Sequence, residues 1–251
     1  MTSGRQSLAA RWHGPTLRGM TPSLRSATHA DVPRLAELNR AAYPDLVEDG
    51  VVFDEAQLLG HTTVFPRGQL VAELDGKIAG AIATMIVPRA IDPLVQHTWM
   101  GVTDGGTFVR HDASGDTLYL ADVYVAESAW GRGVGRALYE ALFTLCRELR
   151  LKRVVAGGRL YDYDAHAETM TPHAYIDAVV RGELEDRVLI SQLRAGFTVR
   201  GVLAGYLHDW RSRHFASLLV WENPLAAATE TDAPRSRRAP AVALSVPSPS
   251  R

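Results

Sequence analysis

The chain is short of several things, and each shortage excludes a class of protein. Its 251 residues hold one cysteine, Cys146, so no disulfide can form within the chain and a disulfide-framed scaffold is ruled out. Neither sign of charge dominates: 27 basic residues face 28 acidic ones, for a net charge of −1. No basic face therefore points to nucleic acid, and no polybasic run points to a membrane surface. Apolar runs stay well below the roughly 20 residues that cross a bilayer. A cytoplasmic protein is the expectation. His166 and His173 stand isolated, no other residues have the spacing of a zinc site, and no metal is expected. No internal repeat is visible. What remains is a chain 46% hydrophobic, enough for one sizeable core in one domain with tails.

The informative stretch is 118–149. A β-rich run, 118–125, leads through a short turn into Gly131-Arg132-Gly133-Val134-Gly135-Arg136. A helical pattern follows, with Val134, Leu138, Ala141, Leu142, Leu145, Cys146 and Leu149 stepping by threes and fours along one face. Cys146 on that inward face reads as a buried structural thiol. Strand, glycine loop and helix together present free backbone N–H groups and a helix N-terminus to an anion. The glycines remove Cβ atoms where phosphates approach, and Arg132 and Arg136 add positive charge. The expected ligand is a pyrophosphate. A dinucleotide fingerprint is excluded, because Arg136 stands three residues after Gly133 and Leu138 three after Gly135. A P-loop is excluded as well, because the segment has no lysine.

Around this centre the order of elements can be laid out. Residues 1–22 carry Arg5, Arg11 and Arg18 without an acid and lack the apolar core of a secretory signal. A disordered extension is preferred, with a transit peptide or a true start at Met20 as the alternatives. Residues 225–251 are rich in Ala, Ser and Pro and read as a disordered tail. Between them, 23–224 is expected to be one domain. A strand at 23–27 precedes a helix over 32–42 and a short helix from Asp54. Residues 69–74 and 77–87 form a hairpin around Asp75-Gly76. Residues 88–116 read as an insertion with a second hairpin at Asp104-Gly105-Gly106. After the central helix come a strand at 153–156, a loop at 157–163, a helix opened by Thr171-Pro172, and another at 186–194. Strands at 197–206 and 216–221 close the domain.

The segment Trp130-Gly131-Arg132-Gly133-Val134-Gly135 resembles the acyl-CoA loop of the GCN5-related N-acetyltransferases (GNAT), usually written R/Q-x-x-G-x-G/A, with Trp130 in place of the Arg or Gln. The element order also matches that family, from about 22 to 224. Four further stretches are similar to the acetyltransferase-like domain often fused to nitrilase-type carbon–nitrogen hydrolases. They are Gly68-Gln69-Leu70-Val71-Ala72-Glu73, His97-Thr98-Trp99, Val155-Ala156-Gly157-Gly158-Arg159-Leu160 and Gln192-Leu193-Arg194-Ala195-Gly196-Phe197. The hydrolase's own Glu/Lys/Cys machinery cannot be hidden here, since the single cysteine sits in the helix.

The resemblance implies an α/β (α+β) fold: a mixed, mostly antiparallel sheet, helices on both faces, and a split between the central strands. It implies acetyl-CoA as cosubstrate, its pantetheine arm paired with the backbone of Val123, Tyr124 and Val125. The pyrophosphate would rest on the N–H groups of Arg132, Gly133, Val134, Gly135 and Arg136. An amine, small or peptide-borne, would attack the thioester directly, with a strand N–H near Val123 steadying the oxyanion. Many members place a tyrosine where this chain has Gln192, and glutamine is no general acid. Asp122 is the candidate for proton transfer, a buried carboxylate bound to loop backbone being the equal alternative. Tyr119 is a second candidate or a core residue. Arg159 and Tyr161 are candidates for acceptor binding, and Arg159 equally for a salt bridge within its loop. His97 and Trp99 read as pocket residues or as packing. Two functions stay open: an N-acetyltransferase, or a non-catalytic acyl-CoA-binding module that regulates another protein, such as a separately encoded hydrolase. A homodimer through an exposed final strand is also open.

Overall fold

Seven strands form one sheet whose spatial order is β1-β2-β3-β4-β5-β7-β6. They are β1 (Ser23–Ser26), β2 (Leu70–Leu74), β3 (Lys77–Val87), β4 (Thr117–Val125), β5 (Arg153–Arg159), β6 (Thr198–Leu203) and β7 (Ala216–Glu222). Every neighbouring pair is antiparallel except β4 and β5, which run parallel. The computed structural model describes residues 21–47 and 50–226. Expectations for 1–20 and 227–251 lie outside the described residues. Among the described residues, six helices of five or more residues accompany the sheet: α1 (Val32–Ala42), α2 (Glu55–Val64), α3 (Trp99–Thr103), α4 (Val134–Glu148), α5 (Pro172–Val180) and α6 (Arg187–Ala195).

Side-chain alternation divides the strands between two cores. Leu118, Leu120, Val154, Ala156 and Leu219 pack under α4, α5 and α6. Tyr119, Met85, Val155 and Leu218 face the other way, under Leu35 and Leu38 of α1 and Leu58 of α2. Helices on both faces of a mixed, mostly antiparallel sheet is the architecture read from the sequence. Local chemistry sets the boundaries. Asp54 accepts from the Gln57 N–H to open α2, Thr171 from the Ala174 N–H to open α5, and Asp186 from the Val188 and Leu189 N–H groups to open α6. Asp75 and Gly76, at φ 52 and 72, make the left-handed pair that a tight hairpin requires.

Four expectations need correction. Residues 88–116 hold no second hairpin. Thr98 instead caps α3 by accepting from the Gly101 N–H, and Asp104, at φ 56, ends it. The left-handed run at 104–106 terminates a helix there rather than reversing a strand. The Gly157-Gly158 pair is not loop but the interior of β5, paired with Leu218 and Ser217 of β7. Both positions need glycine because a Cβ at 157 would overlap the Tyr206 ring, and one at 158 would come 2.5 Å from the Gln192 Oε1. The last strand is no exposed edge either. β7 lies between β5 and β6, with Leu218, Leu219 and Val220 all buried, so the edge is β6. α4 also buries more than its predicted stripe. Tyr139 and Phe143 are buried as well, because Trp221 stacks on Phe143 at 4.4 Å and Phe197 meets it at 5.3 Å. Among the described residues no helix is long and apolar enough to cross a membrane.

The segment after α3 is tied to α2 by a buried histidine. His61 is 1% exposed, donates from Nε2 to the Gly106 carbonyl at 2.7 Å and stacks on Phe108 at 3.7 Å. Its Nδ1 has no partner among the described residues, so a second proton there would go unmatched. Burial lowers its pKa from 6.5 to about 4. The unfolded chain then takes up the proton first as pH falls. The stability that depends on the neutral ring is intact above pH 6.5 and lost progressively down to about 4, on the order of 3 kcal/mol in all. Urea midpoints measured between pH 7 and 4.5 should fall steeply for the wild type and less steeply for His61→Gln. Parallel pH profiles for the two proteins would show that His61 is not the group responsible.

Candidate active site

The site begins where two strands part. β4 and β5 pair from Thr117↔Arg153 to Leu120↔Ala156 and no further. Each nevertheless keeps its other neighbour: β4 stays on β3 as far as Gly80↔Val125, and β5 stays on β7 as far as Arg159↔Ala216. The parting coincides with a bulge in β4. Thr84 faces Leu120 and Ala83 faces Asp122, leaving Ala121 as the extra residue. A bulge bends and twists its strand, and here it turns the last part of β4 away from β5. Ala126 donates to the Ala79 carbonyl at 2.8 Å, so strand alternation turns the Tyr124 backbone toward β3 and those of Val123 and Val125 toward the split. Three side chains attend the carbonyls in and beyond the bulge. Trp99 Nε1 donates to Ala121 O at 2.9 Å and Trp130 Nε1 to Val125 O at 3.1 Å, while Tyr43 Oη, 2.9 Å from Val123 O, divides its single proton between that carbonyl and the Asp122 carboxylate.

Beyond β4 the chain enters the glycine loop. Gly133 is the N-cap of α4 at φ 82 and supplies no side-chain cap. The bond from the Ala137 N–H to the Gly133 carbonyl, at 3.0 Å, is the first of the helix. The N–H groups of Val134, Gly135 and Arg136 therefore have no helical acceptor, at the positive end of a 15-residue helix. Gly131 is also left-handed, at φ 72, and a Cβ on either glycine would meet nothing within 4 Å. The space before the helix end is open, and left-handed backbone keeps larger residues out of it. The Val134 side chain is anchored in the core, 1% exposed. The side chains of Arg132 and Arg136 are engaged with Asp75 at 3.0 Å and Glu140 at 2.7 Å. Backbone donors with room in front of them suit a pyrophosphate.

The α6 wall carries an unmet acceptor. Gln192 is 5% exposed, its Oε1 has no partner among the described residues, and it stands over Gly158 in the splayed half of β5. A buried carbonyl without a donor costs about 1–3 kcal/mol, and an amide N–H of a bound ligand would satisfy it. The Tyr139 hydroxyl of α4 lies against Ser191 and Gln192, and burial raises its pKa. The cradle and this acceptor both fit the pyrophosphate and amide groups of an acyl-CoA.

On the α1 side stands Asp122, just past the bulge. Asn39 Nδ2 donates to its Oδ2 at 2.6 Å, Tyr43 Oη to its Oδ1 at 2.6 Å, and the Val123 N–H leans on it. Burial raises its pKa to about 6, against the lowering effect of these donors. Tyr119 is fully buried. Its hydroxyl meets Tyr206 Oη at 2.8 Å and His97 Nε2 at 2.9 Å. His97 Nδ1 faces the Val95 carbonyl at 2.8 Å and so carries the ring proton, which leaves Nε2 to accept from Tyr119. Arg159 is bound by Asp209 at 2.6 and 2.7 Å and by Asp45 at 2.6 Å. Burial works to lower its pKa, and these two carboxylates outweigh that. Tyr161 is half-buried, its ring flanked by the guanidinium groups of Arg187, Arg211 and Arg159.

Asn39, Tyr43, Asp45, Tyr206 and Asp209 were invisible to sequence reasoning. Asn39 and Tyr43 looked like the end of an ordinary amphipathic helix, and their partner Asp122 is about eighty positions away. Among the described residues no group of three or more His, Cys, Asp or Glu is placed to hold a metal ion. A surface groove of about 530 Å³ lies between β1 and α4, lined by Leu24, Leu70 and Ala141 among others, apart from the split.

Comparison with known proteins bears on this geometry. The sequence model of the Acetyltransferase (GNAT) family matches residues 32–168. The chain is 32% identical over 201 residues to a Bacillus subtilis (strain 168) protein named Uncharacterized N-acetyltransferase YkwB, covering 80% of this chain and 88% of that one. It is 31% identical over 201 residues to Probable hydrolase YhcX of the same organism, covering 80% of this chain and 38% of that protein's length. Among solved structures it superposes on the GphF GNAT-like decarboxylase in complex with isobutyryl-CoA, with a TM-score of 0.65 at 23% identity, covering 80% of this chain and 99% of that one. At that identity the superposition speaks for the fold. The split sheet, the glycine cradle and the matched sequence agree: the chain belongs to the acetyltransferase (GNAT) family.

Proposed function

We propose that this protein transfers an acetyl group from acetyl-CoA to an amine, small or peptide-borne, which attacks the thioester carbonyl directly within the split between β4 and β5. The observation that carries this reading is the placement of Asp122. A carboxylate with a pKa near 6 stands at the bulge where the strands part, on the strand that leads into an open helix N-terminus. The relative named N-acetyltransferase supports the reaction class.

The thioester supplies the acyl group; its carbon–sulfur bond breaks as the carbon–nitrogen bond forms. The protein's part is positioning and proton handling. The first-turn N–H groups of α4 and those of Gly131 and Gly133 hold the pyrophosphate, the Arg132 N–H being given to the Ala129 carbonyl at 3.3 Å, while the Val123 and Val125 edge and Gln192 Oε1 pair with the amide-bearing arm. An N–H near Val123 steadies the oxygen of the attacked carbonyl. Asp122, held by Asn39 and Tyr43 and mostly ionised at pH 7, takes the proton from the amine. On the opposite wall Gln192 has no proton to give. The departing thiolate takes its proton from water, and Asp122 gives the amine's proton back to solvent, which closes the proton balance.

A second reading keeps the CoA site without turnover, as a module that regulates a partner such as a hydrolase. The observations in its favour are Gln192 and the match to 38% of the length of a relative named probable hydrolase. Release of free thiol from acetyl-CoA across an amine panel separates the two: binding without release across a broad panel leaves only the module.

Three variants test the roles. Asp122→Asn should lower kcat/KM by about 10²–10⁴-fold and remove the rising limb near pH 6, while CoA affinity holds; a limb that survives assigns the base elsewhere. Gln192→Leu should bind CoA about tenfold more weakly yet melt no lower than the wild type, because a buried orphan acceptor has been removed. A lower melting point with unchanged affinity would make Gln192 purely structural. Gly133→Asn should keep the fold, since asparagine tolerates the left-handed region, and should lose CoA binding to the side chain now filling the cradle. Full affinity in that variant would place the phosphates elsewhere.

A further inference from the structure

Tyr161 follows the end of β5 and Trp130 follows the end of β4, and one cation touches both. The Arg187 guanidinium lies 3.9 Å from the centre of the Tyr161 ring and 5.4 Å from that of Trp130. Trp130 is itself held by its bond to the Val125 carbonyl, and it immediately precedes Gly131, where the cradle opens. The first residue of α6 thus bridges the two strand ends at the mouth of the split.

Charge around that mouth is unevenly matched. Arg132 is paired with Asp75 and Arg136 with Glu140. Arg159 is held by Asp45 and Asp209, and Arg211 reaches Asp45 at 3.2 Å. Arg187 has no carboxylate partner among the described residues, although Arg211 and Arg159 crowd the same Tyr161 ring at 4.6 and 5.1 Å. Three guanidinium groups therefore share one ring with two carboxylates. An arginine that rests its flat face on aromatic rings keeps its in-plane N–H donors free, and that edge matches a phosphate in bidentate fashion.

We infer that Arg187 is a phosphate-binding residue, contributed by α6 from outside the glycine loop, that grips a phosphate of the CoA cosubstrate at the mouth of the split. The inference rests on the acyl-CoA reading above. CoA offers this chemistry twice, as its diphosphate and as its 3′-phosphate. Arg187 is exposed, so Arg187→Gln should melt with the wild type.

Calorimetric titration of the full chain with CoA and with 3′-dephospho-CoA tests it. The variants are Arg187→Gln and, as control, Arg181→Gln, an exposed arginine paired only with Glu183. Arg187→Gln should bind CoA about tenfold more weakly, the loss of one charge-assisted contact, and Arg181→Gln should bind like the wild type. A loss confined to CoA, with the wild-type preference over dephospho-CoA abolished, assigns Arg187 to the 3′-phosphate; an equal loss on both ligands assigns it to the diphosphate. Unchanged affinity for both ligands, or the same loss in Arg181→Gln, overturns the inference while the acyl-CoA reading stands. A wild type that binds neither ligand removes both.

Discussion

One extra residue in β4 governs the site. The β4–β5 ladder ends at Leu120↔Ala156, and the extra residue, Ala121, follows at once. Beyond it, both strands keep their outer neighbours and part from each other, leaving strand edge that no other strand fills. Backbone polar groups in such a place must find partners, and the partners are informative. Carbonyls at Ala121, Val123 and Val125 are met by Trp99, Tyr43 and Trp130, drawn from three separate parts of the chain. The opening is thus held by side chains on both sides of the sheet, and it leads directly into the uncapped end of α4.

The two sides of the split are built differently. On the α1 side almost every polar group is satisfied. Asn39 alone joins α1 to β4 and to the segment before α2, donating to Asp122 and accepting from the Phe53 N–H at 2.9 Å. Such a network fixes the carboxylate in place while burial keeps its pKa near neutrality, which suits a base at physiological pH. On the α4 and α6 side the balance is reversed. The first-turn N–H groups of α4, Gln192 Oε1 and the Arg187 guanidinium stand without matching partners among the described residues. In the proposed transfer the first side orients the acceptor and the second, with its free donors and acceptors, receives the cosubstrate.

Much of this could be read in advance because it depends on local chemistry. The Asp75-Gly76 hairpin, the Thr171 and Asp186 caps and the glycine loop before an amphipathic helix all work within a few residues. The errors have a common source. Gly157 and Gly158 looked like a loop because their reason lies elsewhere in the chain, in the Tyr206 ring and Gln192 that fill the missing Cβ positions. Tyr139 and Phe143 fell outside the predicted stripe because Phe197 and Trp221 arrive from the far end of the chain to cover them.

The sequence by itself determined the family, the order of most elements and the left-handed glycine loop before α4. These follow from backbone conformation and side-chain periodicity, which neighbours along the chain decide. Only the tertiary structure decided which charges are free. Asp122, Arg159 and Arg187 are equally plausible ions on paper. Folding gives the first Asn39 and Tyr43, gives the second Asp45 and Asp209, and leaves the third with two aromatic rings. A charge acquires its role from what surrounds it, and those surroundings come from segments up to about a hundred residues away.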